Sequence, residues 1–128
     1  MAKAKVLIVD DEKLARTMLT DLLRGKGYTV ITAEDGASGL AAAQKEKPNV
    51  IILDVMMPGM DGFEVCQALK KDVATASIPV IILTASDDPH LTQKAFKAGA
   101  AFTLVKTSQP ERLLSTLHLA LSLARPSS

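Results

Sequence analysis

Aromatic side chains and cysteine are scarce in this sequence. Only 3% of the 128 residues are aromatic, there is no tryptophan, and Cys66 is the single cysteine. One cysteine excludes an internal disulfide and is typical of proteins from a reducing compartment. The core must therefore be built from aliphatic residues and alanine, which is usual for layered helix-and-sheet proteins.

The sequence also lacks an excess of charge of either sign and any long apolar run. The chain has 15 basic and 14 acidic residues, and its net charge is +1. Direct nucleic-acid binding through bulk charge is therefore not expected. The apolar run Val6–Val9 is too short for a signal-peptide core or a membrane span. We expect a cytoplasmic protein that does not bind membranes.

What is present is a regular alternation of short apolar runs with helical patterns. Five β-rich runs predict five strands, at Val6–Val9, Thr29–Thr32, Val50–Leu53, Val80–Leu83 and Phe102–Val105. Strands that alternate with helices through short connections form a parallel sheet covered on both faces. We predict an α/β, flavodoxin-like (βα)5 three-layer sandwich with a five-stranded parallel sheet in the order 2-1-3-4-5.

The length predicts one domain over residues 1–128, with an ordered core over about residues 4–124. The short ends, residues 1–3 and 125–128, are expected to be disordered. No internal repeat, low-complexity tract or linker interrupts the chain.

The first predicted helix carries two rows of apolar residues at four-residue spacing, and it should end at Gly25 or Gly27. The rows consist of Leu14, Met18 and Leu22, beside Ala15, Leu19 and Leu23. Both rows are expected to lie on the buried face.

The second and third helices are predicted over about Gly36–Lys47 and Gly62–Lys71. Asp35 should be the N-cap of the second, with Leu40 and Ala41 facing inward. The apolar face of the third should carry Phe63, Cys66 and Leu69.

The fourth and fifth helices have recognisable start signals. Asp88 and Pro89 are typical of an N-cap with proline in the first turn, and Gly99 should end the fourth helix. Ser108 and Glu111 have capping-box spacing at the start of the fifth helix, which should stop before Pro126. Its apolar face should carry Leu113, Leu114, Leu117 and Leu121.

Polar residues follow four of the predicted strands. They are Asp10 and Asp11 after the first strand, Asp54 after the third, Thr84 after the fourth and Lys106 after the fifth. Ligands of open α/β sheets bind at the carboxyl ends of the strands, and these four strands are neighbours in the predicted order. We therefore expect the five side chains to converge on one site.

The chemistry of such a site favours a divalent cation. Three neighbouring carboxylates repel one another unless they share a cation, and oxygen-only ligands suit Mg²⁺. The metal ligands should be Asp10, Asp11, Asp54 and the backbone carbonyl of Met56. Asp54 is then the candidate nucleophile for a phosphoryl group.

Lys106 and Thr84 would complete this site. An ammonium group and a hydroxyl donor opposite the metal would neutralise a phosphoryl group on Asp54. Taken singly, an acidic pair is most often a solvated helix cap, a threonine is an ordinary strand end, and a lysine is usually surface charge. The hypothesis depends on their joint placement at adjacent strand ends.

On these residues the chain resembles the response-regulator receiver domains of two-component signalling, in particular the chemotaxis regulators, over essentially its whole length. The resemblance is carried by Asp10-Asp11, the stretch 54–64 (DVMMPGMDGFE), Thr84-Ala85, and Lys106 after Gly99-Ala100.

The resemblance implies that Asp54 is the phosphorylated aspartate, that Asp10 and Asp11 hold Mg²⁺, that Thr84 senses the phosphoryl group and that Lys106 pairs with it. The donor would be a phosphohistidine on a sensor histidine kinase or a histidine phosphotransfer protein. The output would be protein binding through helix 4, strand 5 and helix 5, by a monomer or weak dimer. Such a domain catalyses only its own phosphorylation and dephosphorylation, and is not otherwise an enzyme.

Two positions depart from the family pattern. Thr103 stands where an aromatic residue is usual, and Phe102, one residue earlier, should point to the opposite face of the sheet. Thr107 stands where a proline is usual, so the loop after Lys106 should differ in shape.

Other functions would require different residues or a longer chain. The chain could be a complete signalling switch or a module of a larger transcription factor or hybrid kinase. A Mg²⁺-dependent phosphohydrolase would need a second acid where Met56 stands, and a flavin or nucleotide binder would need phosphate-binding glycines after strand 1. Cys66 is expected to be a packing residue, and His90 and His118 surface or boundary residues.

Overall fold

The computed structural model describes residues 4–57, 59–106 and 109–124. Five strands alternate with five helices, which confirms the predicted element order. The elements are β1 (Lys5–Val9), α1 (Lys13–Gly25), β2 (Thr29–Ala33), α2 (Gly36–Glu46), β3 (Val50–Asp54), α3 (Gly62–Lys71), β4 (Val80–Thr84), α4 (Pro89–Ala98), β5 (Phe102–Val105) and α5 (Pro110–Ala124).

The strands form one parallel sheet in the order β2-β1-β3-β4-β5, as predicted. At the carboxyl edge, Val9 pairs with Leu53, and Asp54 pairs with Leu83. Thr84 pairs with Val105 in the next ladder. The ends of β1, β3, β4 and β5 therefore lie side by side at one edge of the sheet.

The core is divided by the sheet into two apolar layers. Successive strand residues point to opposite faces, so Leu7 and Ile51 belong to the layer under α2, α3 and α4, while Ile8 and Ile52 belong to the layer under α1 and α5. Every residue of β3 and β4 is buried. The continuous apolar runs in these strands reflect the absence of a solvated face.

The prediction that α1 buries two rows of apolar residues is wrong for the first two residues of one row, whereas the third, Leu22, packs against the core. Leu14 and Met18 are 71% and 63% exposed, whereas Leu23 is fully buried. A helix that lies on a sheet covers only one stripe of its surface, and α1 contacts β1 and β2 through the stripe that contains Leu19 and Leu23. The helix ends at Gly25, as predicted.

The prediction for α2 is wrong at one residue. Asp35 caps the helix and the partly buried Leu40 packs against the core, both as expected, but Ala41 is exposed. The buried face contains Gly39, where an added Cβ would lie 2.9 Å from side-chain atoms of Val9. The closest approach to the sheet is thus made by a residue without a side chain. Ala41, two residues away and about 200° around the helix, is turned to solvent.

The remaining helices match their predictions where they are described. The bounds of α3 agree, and Phe63, Cys66 and Leu69 are buried. In α4, the Asp88 side chain accepts a hydrogen bond from the backbone N–H of His90, and Gly99 ends the helix with a φ of 106°. On α5, Leu113 and Leu117 are buried, and Leu114 and Leu121 pack against the same layer.

Several predictions fall outside the described residues. They concern the capping residue Ser108, the altered loop at Thr107, the stop before Pro126, and the disorder of residues 1–3 and 125–128.

Candidate functional site

The polar residues that follow the strands lie at the carboxyl edge of the sheet, as expected. Asp54 and Thr84 are the last residues of β3 and β4, and Asp10 and Lys106 directly follow β1 and β5. Sheet hydrogen bonding continues beyond the strands, because the Lys106 N–H donates to the Thr84 carbonyl at 2.7 Å and the Asp10 N–H donates to the Ala33 carbonyl at 3.1 Å. The backbone of the site is therefore held by the sheet.

The acids come together as predicted. One carboxylate oxygen each from Asp10, Asp11 and Asp54 lies within 4.8 Å of the others. Asp10 and Asp54 are only 1% and 2% exposed, whereas Asp11 faces solvent. Two buried carboxylates and one at the surface form a shell that is open on one side.

The buried oxygen Oδ2 of Asp10 supports a cation at this position. The other oxygen, Oδ1, accepts a hydrogen bond from the Glu12 N–H at 3.0 Å. Within the described part of the chain, Oδ2 receives no hydrogen bond. A buried carboxylate oxygen that accepts no hydrogen bond, with two further carboxylates beside it, belongs to a donor set that suits a hard divalent cation such as Mg²⁺.

Lys106 lies among three carboxylates. Its Nζ is 3.1 Å from Oδ2 of Asp10, 3.3 Å from Oδ2 of Asp54 and 3.4 Å from Oε1 of Glu12. The contact with Asp10 is close enough for an ion pair, but it lacks the direction of a hydrogen bond. Burial lowers the pKa of Lys106, but the carboxylates of Asp10 and Asp54 outweigh burial and raise the pKa overall. The ammonium group is therefore charged at neutral pH.

Glu12 was not predicted as part of the site. It precedes α1, 68% of its side chain is exposed, and it reaches across to Lys106. The run of three acids at positions 10–12 was the available signal, but spacing alone cannot show which of them turns toward a lysine 94 residues later.

The environment of Asp54 disfavours its charged form when no metal is present. Burial raises the pKa of this carboxyl, the neighbouring Asp10 raises it further, and the ammonium of Lys106 partly opposes both. Oδ1 of Asp54 also lies 3.4 Å from the Met56 N–H, a long contact. A cation shared with Asp10 would remove the principal repulsion.

The hydroxyl of Thr84 forms hydrogen bonds to backbone carbonyl groups. Oγ1 donates to the Ser86 carbonyl at 2.6 Å and lies 3.5 Å from the Leu104 carbonyl. Thr84 is 4% exposed, so this hydroxyl is held in the wall between β4 and β5. A role toward a group on Asp54 requires its rotation out of this position.

Gly62 is a second residue whose importance was not predicted. A Cβ at this position would overlap the carbonyl oxygen of Asp54 and lie 2.8 Å from the Cα of Val55. The Gly62 N–H donates to the Val55 carbonyl at 3.0 Å. The start of α3 thus packs directly on the backbone that carries Asp54, and glycine is required for this approach.

Thr103, which stands where the family usually has an aromatic residue, and its neighbour Phe102 lie on opposite faces of β5, as expected. Phe102 packs against the layer under α1 and α5. Thr103 is half-buried and lines a polar pocket that also includes Thr92 of α4.

Cys66, His90 and His118 take no part in the site. Cys66 is fully buried, and burial raises the pKa of its thiol to about 11, which agrees with a packing role. His90 and His118 are exposed on α4 and α5, in agreement with their assignment to the surface.

Comparison with known proteins agrees with this geometry. Residues 6–118 match the family described as "Response regulator receiver domain". The chain belongs to this family. It is therefore a two-component receiver domain, and the family acts as signalling phosphoacceptors.

Relatives are similar over nearly the whole chain. "Protein PilH" of Pseudomonas aeruginosa is 40% identical over 119 residues, which cover 93% of this chain and 98% of that protein. The "Probable transcriptional regulator ycf27" of Porphyridium aerugineum is 38% identical over 94% of this chain but only 49% of its own length. The receiver thus spans about half the length of the ycf27 relatives.

A solved structure gives the same result for the fold. The chemotaxis protein CheY4 of Vibrio cholerae is 43% identical, superposes with a TM-score of 0.88, and is matched over 93% of this chain and 99% of its own. In the described part of this receiver, none of the helices is both long and apolar enough to cross a membrane.

Proposed function

We propose that Asp54 accepts a phosphoryl group in a Mg²⁺-dependent reaction, with Asp10, Asp11, Asp54 and the backbone carbonyl of Met56 as metal ligands. The observation that supports this most directly is the cluster of three acid oxygens within 4.8 Å, with Lys106 Nζ 3.3 Å from Asp54. Receiver domains as a family act as phosphoacceptors. Among the residues that the structure describes, this cluster is the group of acids that could hold a metal ion.

In the proposed reaction, a carboxylate oxygen of Asp54 attacks the phosphorus of a phosphohistidine. The new O–P bond forms as the P–N bond breaks, and the electron pair stays on the departing imidazole. Bound Mg²⁺ would neutralise negative charge on the carboxylate and phosphoryl oxygens. Lys106, already beside Asp54, stabilises the charge on the other side of the phosphoryl group.

Thr84 is proposed to report the change. Its hydroxyl leaves the Ser86 carbonyl and donates to a phosphoryl oxygen on Asp54. This rotation removes a hydrogen bond from the loop between β4 and α4, and so connects the phosphorylation site to a surface.

The reaction requires a phosphoryl donor and a protein that responds to the phosphorylated state. The donor is proposed to be a sensor histidine kinase or a histidine phosphotransfer protein, and the output to be protein binding through α4, β5 and α5.

We further propose that residues 1–128 form one receiver domain that is located in the cytoplasm. It would be a monomer or weak dimer and would not contact nucleic acid or membranes directly.

The test is phosphorylation by acetyl phosphate and Mg²⁺, measured by intact mass. We expect the wild type to gain one phosphoryl group, and Asp54→Asn and chelator-treated protein to gain none. Asp21→Asn, an exposed acid on α1, is the control and should react like the wild type. A phosphoryl group gained by Asp54→Asn would place the acceptor at another residue. Catalytic hydrolysis of phosphate monoesters by the wild type would instead favour a phosphohydrolase.

A further inference from the structure

A polar pocket is lined in part by Thr84 and by none of the three clustered acids. Its volume is about 220 Å³, and it is formed by the loop after β4 together with α4, β5 and α5. The lining includes Thr84, Ser86, Asp87, Thr92, Thr103 and Arg112. Pockets for drug-sized ligands are usually about 300–1,000 Å³, so this one has room for a single side chain.

The pocket has an unusual combination of polar groups. Asp87 and Arg112 both line it, and neither forms an ion pair with another described residue. Thr103 is short and half-buried, which leaves the space between α4 and α5 open. A ligand here meets a carboxylate, a guanidinium and several hydroxyls.

The pocket shares a wall with the phosphorylation site. At present the Ser86 carbonyl accepts the Thr84 hydroxyl at 2.6 Å. If Thr84 turns toward a phosphoryl group, this carbonyl loses its donor beside the pocket. Because Ser86 is exposed, this carbonyl then accepts a hydrogen bond either from water or from a ligand, and a ligand with a hydrogen-bond donor can take the place of the Thr84 hydroxyl.

We propose that this pocket binds a tyrosine side chain of a partner protein, and binds it more tightly when Asp54 is phosphorylated. The phenol hydroxyl donates to the Ser86 carbonyl or to Asp87, and the ring packs against the guanidinium of Arg112. The tighter binding after phosphorylation rests on the proposed function, in particular on the movement of Thr84.

Other side chains fit the lining less well. A carboxylate would face Asp87, and an ammonium group would face Arg112. An aliphatic group would cover the hydroxyls of Thr92 and Thr103 without replacing their hydrogen bonds to water. Tyrosine combines an aromatic face for the cation with a donor for the carbonyl and the acid.

The surface that continues from the pocket suits a protein segment. Phe96 lies one turn after Thr92 on α4, and Leu119 lies two turns after Arg112 on α5. These two apolar side chains are 49% and 54% exposed. A chain that places a tyrosine in the pocket can cover them with its neighbouring residues.

The first experiment uses p-cresol as the probe and ¹⁵N-labelled full-length protein. We expect saturable amide shifts at Ser86, Asp87 and Thr103, with a dissociation constant near the roughly 1 mM usual for so small a ligand. Toluene should bind several-fold more weakly, because it lacks the hydroxyl. Arg112→Gln and Thr103→Phe should weaken p-cresol binding, whereas Arg24→Gln, an exposed arginine on α1, should not.

Shifts that do not saturate, or that are the same in Arg112→Gln, would overturn the pocket assignment. Equal binding of toluene would show that the hydroxyl plays no part and would overturn the choice of tyrosine.

The second experiment adds beryllium fluoride and Mg²⁺ to mimic the phosphoryl group on Asp54. The dissociation constant of p-cresol should fall by at least about fivefold, the low end of usual coupling between sites. An unchanged constant in protein that has taken up beryllium fluoride would overturn the coupling. If the intact-mass test shows no phosphoryl uptake, the proposed function fails instead, and p-cresol binding to the unmodified protein still tests the pocket.

Discussion

At the scale of single residues, the proposed reactivity of Asp54 comes from its neighbours. Burial and Asp10 raise the pKa of its carboxyl, and Lys106 opposes them. The backbone that carries Asp54 is held in turn by Gly62, whose missing side chain lets α3 start directly on it. A residue without functional groups is thus as necessary to the site as the charged ones.

Gly62→Ala tests this close packing. The added Cβ meets the backbone of Asp54 and Val55, which cannot move aside as a side chain can, so we expect a loss of at least about 2 kcal/mol in the free energy of unfolding. Phosphoryl uptake by the folded variant should also fall, because Asp54 is displaced. Urea unfolding and intact mass measure the two effects.

Gly25→Ala is the matched control, because a Cβ there has no neighbour within 4 Å. It should leave uptake unchanged and stabilise the protein by up to about 1 kcal/mol. A Gly62→Ala protein as stable and as reactive as the wild type would contradict the requirement for glycine.

At the scale of the elements, capping decides where helices begin near the site. Asp35 and Ser38 form a capping box at α2, in which the Asp35 carboxylate accepts hydrogen bonds from the Ser38 N–H at 2.8 Å and from its hydroxyl at 2.7 Å. Asp61 and Glu64 form another at α3. At α2 these bonds favour the ionised form of Asp35.

The capping box at α2 predicts a pH dependence. The hydrogen bonds from the Ser38 backbone and side chain lower the pKa of Asp35 below 3.8 in the folded chain. The unfolded chain therefore binds this proton first on acidification, and the stability due to the cap is lost as the pH falls through and below about 3.8. NMR titration of the Asp35 carboxyl should show the lowered pKa.

Ser38→Ala should return this pKa toward its usual value, and Asp35→Asn should abolish the corresponding part of the acid-dependent loss of stability. If the Asp35 pKa is unchanged in Ser38→Ala, the cap does not hold the carboxylate as described.

At the scale of the whole molecule, the strand order creates the site. Placing β1 between β2 and β3 brings Asp10 beside Asp54, and β4 and β5 then add Thr84 and Lys106. The result places the carboxylates of Asp10 and Asp54 side by side and almost out of contact with solvent, which lowers the free energy of unfolding when no metal ion is bound.

Mg²⁺ should therefore stabilise the fold. Above pH 4 the raised pKa of Asp54 makes its ionisation unfavourable to the folded state, so we expect Asp54→Asn to be more stable than the wild type without metal. At a Mg²⁺ concentration 100 times its dissociation constant, the wild type should gain about 2.7 kcal/mol, and Asp54→Asn much less. Thermal unfolding with and without Mg²⁺ measures both effects.

Asp21→Asn should behave like the wild type in both conditions. An equal gain from Mg²⁺ in Asp54→Asn would show that the ion binds elsewhere.

Much of this protein was predictable from local patterns. The five strands, the caps at Asp35 and Asp88, and the five polar residues at the sheet edge follow from apolar runs, turn residues and the rule that parallel strands present their carboxyl ends together. Strands and caps depend on residues that are close together in the sequence, and the polar residues at the sheet edge depend on the strand order. The sequence pattern indicates both.

The sequence by itself determined which segments are strands and helices and which chemical groups reach the sheet edge, because periodicity and strand ends are local properties. Only the tertiary structure decided that Leu14 and Ala41 face solvent, that Glu12 contacts Lys106, and that Thr84 donates to the Ser86 carbonyl. The rotation of a helix and the rotamer of a side chain are set by contacts between residues far apart in the chain, and no spacing pattern records them.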